Sequence, residues 1–242
     1  MSKQAAYGQV GPEQSIYAAS VSALHTIGEK LMLNNGKVFY YAKAGALALA
    51  RGKVCKGPAT VALHYAATAQ SAAVVGDRHV HVTVGATAVT ANQYTGGHLL
   101  NKATGEMYQI AKHPACVASG SLQIDLEEPV QTAIAAAGVL ALVLSRFNGT
   151  LVAAAGDINQ WLAGVPLCTV AANYYYWSQT WGLCGVLTGT GDTTIYTDLR
   201  VDAAVDGATE DIALLTNQCI GIAIGANGTA TYYDAVDLKI MP

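Results

Sequence analysis

Charge is scarce in this sequence. Thirteen basic and sixteen acidic side chains among 242 residues make 12%, about half the usual share of a soluble domain. With a net charge of −3, the chain lacks the excess of Lys and Arg that neutralises phosphates, which excludes direct nucleic-acid binding of that kind. Disorder is excluded from the other side, because 52% of the residues are hydrophobic and can build a core. Long apolar runs are absent too. The longest, Ala133 to Leu144, falls short of the roughly 20 residues of a spanning helix, so no membrane partner is expected despite a mean hydropathy of +0.30. No charged segment leads into an apolar one at the start, so no signal peptide is expected. The five cysteines are odd in number and never form C-x-x-C. They read as reduced thiols of a chain folded in a cytoplasm.

Strand signals fill the chain. Asn34-Asn35-Gly36 separates Glu29–Leu33 from Lys37–Ala42, and Asn-Gly accepts the positive φ of a tight hairpin turn. Arg78–Val84 alternates and is β-branched, and Leu122, Ile124 and Leu126 alternate with polar residues, as half-buried strands do. Gly97–Asn101 and Glu106–Lys112 flank the turn Ala103-Thr104-Gly105, and His113-Pro114 ends that hairpin. In the second half, Asn148-Gly149 joins Leu142–Arg146 to Thr150–Ala154, and Pro166–Ala171, Thr194–Tyr196, Leu199–Val201, Cys219–Ile224 and Thr231–Ile240 read as strands, with Asn227-Gly228 a further hairpin turn. Residues 59–75 fit strand or helix. The spacing predicts an all-β antiparallel sandwich or barrel built of hairpins. The expected organisation is an extended N-terminal arm over residues 1–22, a β subdomain over 23–128 and a second over 129–242. The arm holds Tyr7, Ile16 and Tyr17 and is expected to order only against a neighbouring subunit.

Catalytic patterns are missing: there is no G-x-S-x-G, no P-loop, and no G-x-G-x-x-G after a strand. His79 and His81 share one face of a strand, which suits two ligands of a metal but supplies no third. Cys116 near His113 lacks an orienting partner for a thiol nucleophile. Asp198, Asp202, Asp206, Glu210 and Asp211 lack calcium-loop spacing and read as a solvated acidic edge. The sequons at Asn148 and Asn227 sit on turns. The cluster Tyr174, Tyr175, Tyr176, Trp177 and Trp181 fills a core or an interface, or else forms a platform for a sugar or base. No catalytic residue, metal ligand or cofactor is expected. Sparse charge leaves much uncharged surface, which fits burial against other subunits.

Three stretches carry a family resemblance. They are His25–Gly28 (HTIG) leading to Asn35–Gly45 (NGKVFYYAKAG), Val82–Tyr94 (VTVGATAVTANQY) and Tyr176–Gly182 (YWSQTWG). Together they resemble virion structural proteins of tailed bacteriophages, often encoded beside the major capsid protein, over most of residues 25–240. The resemblance implies a capsid decoration or cement protein on the phage head. Its partners would be the major capsid protein and two further copies of itself in a homotrimer. It carries no catalytic residue. The alternative within virions is a tail, neck or fibre protein with a receptor- or carbohydrate-binding surface, and the alternative from another class is a hydrolytic enzyme.

Overall fold

The computed structural model describes the backbone of residues 6–7 and, in full, residues 14–156, 160–189, 194–212, 218–225 and 232–242. The described residues form seventeen strands and no helix. They divide into two compact units, one made of 1–57 with 149–242 and the other of 58–148.

The unit 58–148 is a closed antiparallel barrel. In chain order its staves are β5 (Ala67–Ala69), β6 (His79–Thr83), β7 (His98–Asn101), β8 (Met107–Lys112), β9 (Ser121–Leu126) and β10 (Val139–Val143). Around the barrel they run β10-β5-β6-β9-β8-β7. Alternation does the work the sequence suggests. Val80, Val82, Leu122 and Ile124 face inward, while His79, His81, Ser121 and Gln123 face out. The expected boundary at 128/129 falls inside this barrel, because β10 pairs with both β5 and β7 and so closes it.

The other unit holds β1 (Ala6–Tyr7), β2 (Lys30–Leu33), β3 (Val38–Ala44), β4 (Cys55–Lys56) and β11 (Asn148–Val152, from Gly149 onward). It continues with β12 (Leu162–Pro166), β13 (Tyr175–Leu187), β14 (Asp198–Val201), β15 (Thr209–Asp211), β16 (Gly221–Ala223) and β17 (Tyr233–Lys239). These form one sheet in the order β1-β2-β3-β11-β4-β12-β13-β17-β16-β14-β15. A further pairing of β3 with β13 closes five of the strands into a ring. The thirteen-residue β13 is the spine, since it pairs with β3, β12 and β17.

Several expectations change. Asn148-Gly149 is not a hairpin turn, for β10 and β11 belong to different sheets and the chain passes there from one unit to the other. The Asn148 side chain donates to the carbonyls of Asn92, Gln93 and Thr95 at 3.1–3.2 Å, so its amide is occupied. Pro166 ends β12 rather than opening a strand, and Thr194–Tyr196 lies outside any strand, with Tyr196 at φ +66°. The Asn227 turn lies outside the described residues. The arm also differs, because residues 14–22 lie on their own chain. Gln14 donates to the carbonyls of Ala18 and Tyr175 at 3.0 and 3.2 Å and accepts from the Tyr41 hydroxyl at 2.7 Å. Ser20 and Tyr175 exchange two backbone hydrogen bonds at 2.8 Å, and Ala6–Tyr7 pairs with β2. Residues 14–22 thus dock on their own chain through Gln14 and Ser20.

One local structure recurs six times, in three pairs. Leu49 bridges Val170, Ala73 bridges Ile134, and Val89 bridges Cys116, each through two reciprocal backbone hydrogen bonds of 2.8–2.9 Å. Three residues after each bridge position stands a left-handed residue: Gly52, Gly76, Asn92, Ser119, Ala137 and Asn173. The next residue donates its N–H back to the carbonyl of the first turn residue at 3.0–3.4 Å. Two-residue tips therefore project from loops that are stapled in pairs.

Candidate functional site

Tips of this kind favour Asn, Asp, Gly and Ser, yet these are built otherwise. They are Ala50–Arg51, Val74–Val75, Thr90–Ala91, Val117–Ala118, Ala135–Ala136 and Ala171–Ala172. Ten of the twelve residues are Ala or Val, and all but the half-buried Ala172 are exposed. The bridge residue at the base of each is buried or packed against the core. Stapling brings Val74–Val75 beside Ala135–Ala136, and Thr90–Ala91 beside Val117–Ala118, which makes small uncharged knobs on the barrel.

Arg51 is the only charged tip residue, and it borders a groove of about 890 Å³ on the outer face of β13 and β17. Gly185 and Ala235 lie opposite each other in the ladder and line this groove. A side chain at Gly185 would meet nothing within 4 Å. Tyr17 (59% exposed), Leu183 (51%) and Tyr233 (57%) stand around these small residues. The Tyr233 ring lies over Gly52, where an added Cβ would sit 2.6 Å from it, and its hydroxyl donates to the Arg51 carbonyl at 3.3 Å. Lys37 and the buried Gln179 also line the groove. Gln179 Nε2 faces the carbonyls of Trp181, Gly182 and Leu183 at 3.1 Å, and its Oε1 has no partner among the described residues. The acid here, Asp234, occupies a buried position of β17.

The barrel interior holds a polar chain. Tyr94 Oη lies 2.6 Å from His64 Nδ1, and His64 Nε2 lies 2.9 Å from the Thr87 carbonyl. A carbonyl only accepts, so Nε2 carries the proton and Nδ1 accepts from the tyrosine. His113 Nε2 accepts the Tyr94 backbone N–H at 2.9 Å, which leaves Nδ1 to donate to the Pro114 carbonyl at 2.8 Å. Burial lowers the pKa of His113 and raises that of Tyr94, so both sit neutral and structural. On the outer face, His79 Nδ1 lies 2.8 Å from Asp125 Oδ1, which Gln123 Nε2 also approaches at 3.0 Å. Hydrogen bonds from Gln123 and His79 lower the Asp125 pKa. His81 shares this face, but among the described residues no three His, Cys, Asp or Glu side chains gather as a metal site.

The aromatic cluster divides. Tyr176 and Trp177 are fully buried, so they are core rather than interface. Trp177 packs 5.0 Å from Tyr41 and 4.9 Å from His25 between ring centroids, and Tyr176 Oη lies 3.0 Å from Thr150 Oγ1. Tyr174, Tyr175 and Trp181 are half-buried, and Tyr175 stacks on Tyr41. Ile16 packs against the same core, whereas Tyr17 reaches the groove. The Tyr7 side chain lies outside the described residues. The acidic edge is not uniformly solvated. Asp202 is fully buried and accepts the N–H groups of Ala204 and Val205 at 2.6 Å. Glu210 pairs with Arg200 at 2.7 Å, and Asp211 accepts from Thr194 and Thr197. Cys116 makes no contact with His113 that would activate it, and its Sγ faces the Val117 carbonyl. All five cysteines are free thiols.

Sequence reading missed the tips and the groove. The bridge positions recur at irregular spacings of 16 to 36 residues, so no fixed period marks them. Arg51, Lys37, Gly185 and Tyr233 come from four distant segments. No known protein family, curated protein or solved structure matches the chain.

Proposed function

We propose that this chain is a non-enzymatic structural protein of a tailed-phage virion, a decoration or cement protein seated on the head surface. The observation that carries this reading is the set of paired tips, which expose Ala and Val where solvated turns use polar residues. Such knobs suit burial against another protein, because removing apolar area from water favours association while sparse charge lowers the desolvation cost. Eighteen large hydrophobic side chains of the described residues are also at least 42% exposed, which adds apolar surface that a partner can cover. The resemblance of Asn35–Gly45, Val82–Tyr94 and Tyr176–Gly182 to phage virion proteins supplies the setting. The partners are then the major capsid protein and, in a homotrimer that suits a threefold position of the shell, two further copies. Attachment over many copies stabilises the head by mass action. No nucleic acid, membrane or cofactor takes part.

Quantitative mass spectrometry of purified virions tests this. Hundreds of copies per particle are expected. A dozen or fewer would move the chain to the tail or neck, and its absence from virions would overturn the reading. Val75→Glu with Val117→Glu should leave the chain folded and abolish attachment. Sedimentation at micromolar concentration should give a trimer.

A further inference from the structure

We propose that the groove on the outer face of β13 and β17 binds an anionic saccharide. The bottom of the groove decides the kind of contact. Gly185 and Ala235 face each other in the ladder from Trp181↔Lys239 to Leu187↔Tyr233, and the Ala235 carbonyl accepts the N–H groups of Ile224 and Gly225. The groove offers exposed side chains around a flat floor. Tyr17 and Tyr233 present exposed rings, and a sugar's C–H face packs on an aromatic ring while its hydroxyls seek donors and acceptors. Small residues at 185 and 235 let a ring lie close to the sheet.

Charge selects the ligand further. Arg51 and Lys37 both line the groove, and neither makes an ion pair among the described residues. Asp234 also lines the groove but is only 9% exposed, so the accessible charge there is that of the two cations. Two cations beside exposed rings suit a carboxylate carried on a sugar, with Arg51 offering a bidentate fork and Lys37 a point charge. Thr169, also lining the groove, exchanges hydrogen bonds with hydroxyls. A groove of about 890 Å³ lies within the range of small-ligand sites. This site is independent of the knobs on the barrel.

Calorimetry on the full chain with a galacturonate trisaccharide, a neutral galactose trisaccharide and a hexaglutamate peptide tests the proposal. The acidic sugar should bind, and binding should weaken as salt rises. The neutral sugar should bind roughly tenfold more weakly or worse, as should the acidic sugar to Arg51→Gln or Lys37→Gln. Gly185→Val is the decisive variant. It has open space and no left-handed φ, so melting should not change, whereas a side chain in the groove should abolish binding. Equal binding of both sugars, undiminished binding to Gly185→Val, or no binding at roughly 10 mM would overturn the proposal. Binding of hexaglutamate in place of the sugar would also overturn it and make the groove an acidic-peptide site.

Discussion

Tyr94→Phe isolates one buried hydrogen bond. Tyr94 and His64 are both fully buried, and the hydroxyl donates to His64 Nδ1 at 2.6 Å. The substitution keeps the ring and opens no sizeable cavity, so the packing cost is small. It strands the His64 Nδ1 lone pair, because Nε2 is committed to the Thr87 carbonyl and the ring cannot turn without losing that bond. A buried acceptor left unpaired costs about 1–3 kcal/mol. If residues 58–148 melt as their own unit, the midpoint falls by roughly 4–8 °C per kcal/mol. If the whole chain melts together, it falls by roughly 2–4 °C per kcal/mol. Urea unfolding of Tyr94→Phe, His64→Leu and the double variant completes a cycle, in which a coupling of about 1 kcal/mol or more is expected. A loss below about 0.5 kcal/mol for Tyr94→Phe, or additive single substitutions, would refute the hydrogen-bond assignment.

Three other outcomes follow from the same geometry. Burial depresses the His113 pKa in the folded chain, so the unfolded chain binds the proton more tightly. Stability from this group is complete above about pH 6.5 and declines as pH falls toward the lowered value, with a slope of at most about 1.4 kcal/mol per unit. His113→Gln should flatten that limb in urea titrations at stepped pH. Gly52→Ala combines a φ of +71° with a Cβ 2.6 Å from the Tyr233 ring. It should cost more than Gly36→Ala, which has φ +81° but open space and bears only a conformational cost of about 1 kcal/mol; equal losses by denaturation would contradict this. Burial pushes the Cys55 and Cys184 thiols up to about 12, so iodoacetamide at pH 8 should alkylate them only after denaturation, and mass spectrometry should find no disulfide.

The sequence by itself determined the secondary structure class and the inward faces. Alternation in His79–Thr83 and Ser121–Leu126 is local information, since one register puts every apolar side chain on one side. The Asn34–Gly36 turn is equally local, because the positive φ it needs suits glycine. Low charge, too, was visible without coordinates. What only the tertiary structure decided are pairings between distant segments. Asn148-Gly149 has the composition of a hairpin turn, yet its flanking strands find better partners elsewhere, β10 with β7 and β11 with β4. The sequence leaves Tyr176 and Trp177 as core, interface or platform, and pairing of β13 with β3 and β12 is what buries them. The stapled tips depend on reciprocal bonds such as Ala73 to Ile134, across 61 residues that no local pattern links. The groove is assembled from the arm, the Ala50–Arg51 tip, β13 and β17. Recognition surfaces of this kind follow from which strands become neighbours, and that is settled by closing the sheets around their cores rather than by any short stretch of chain.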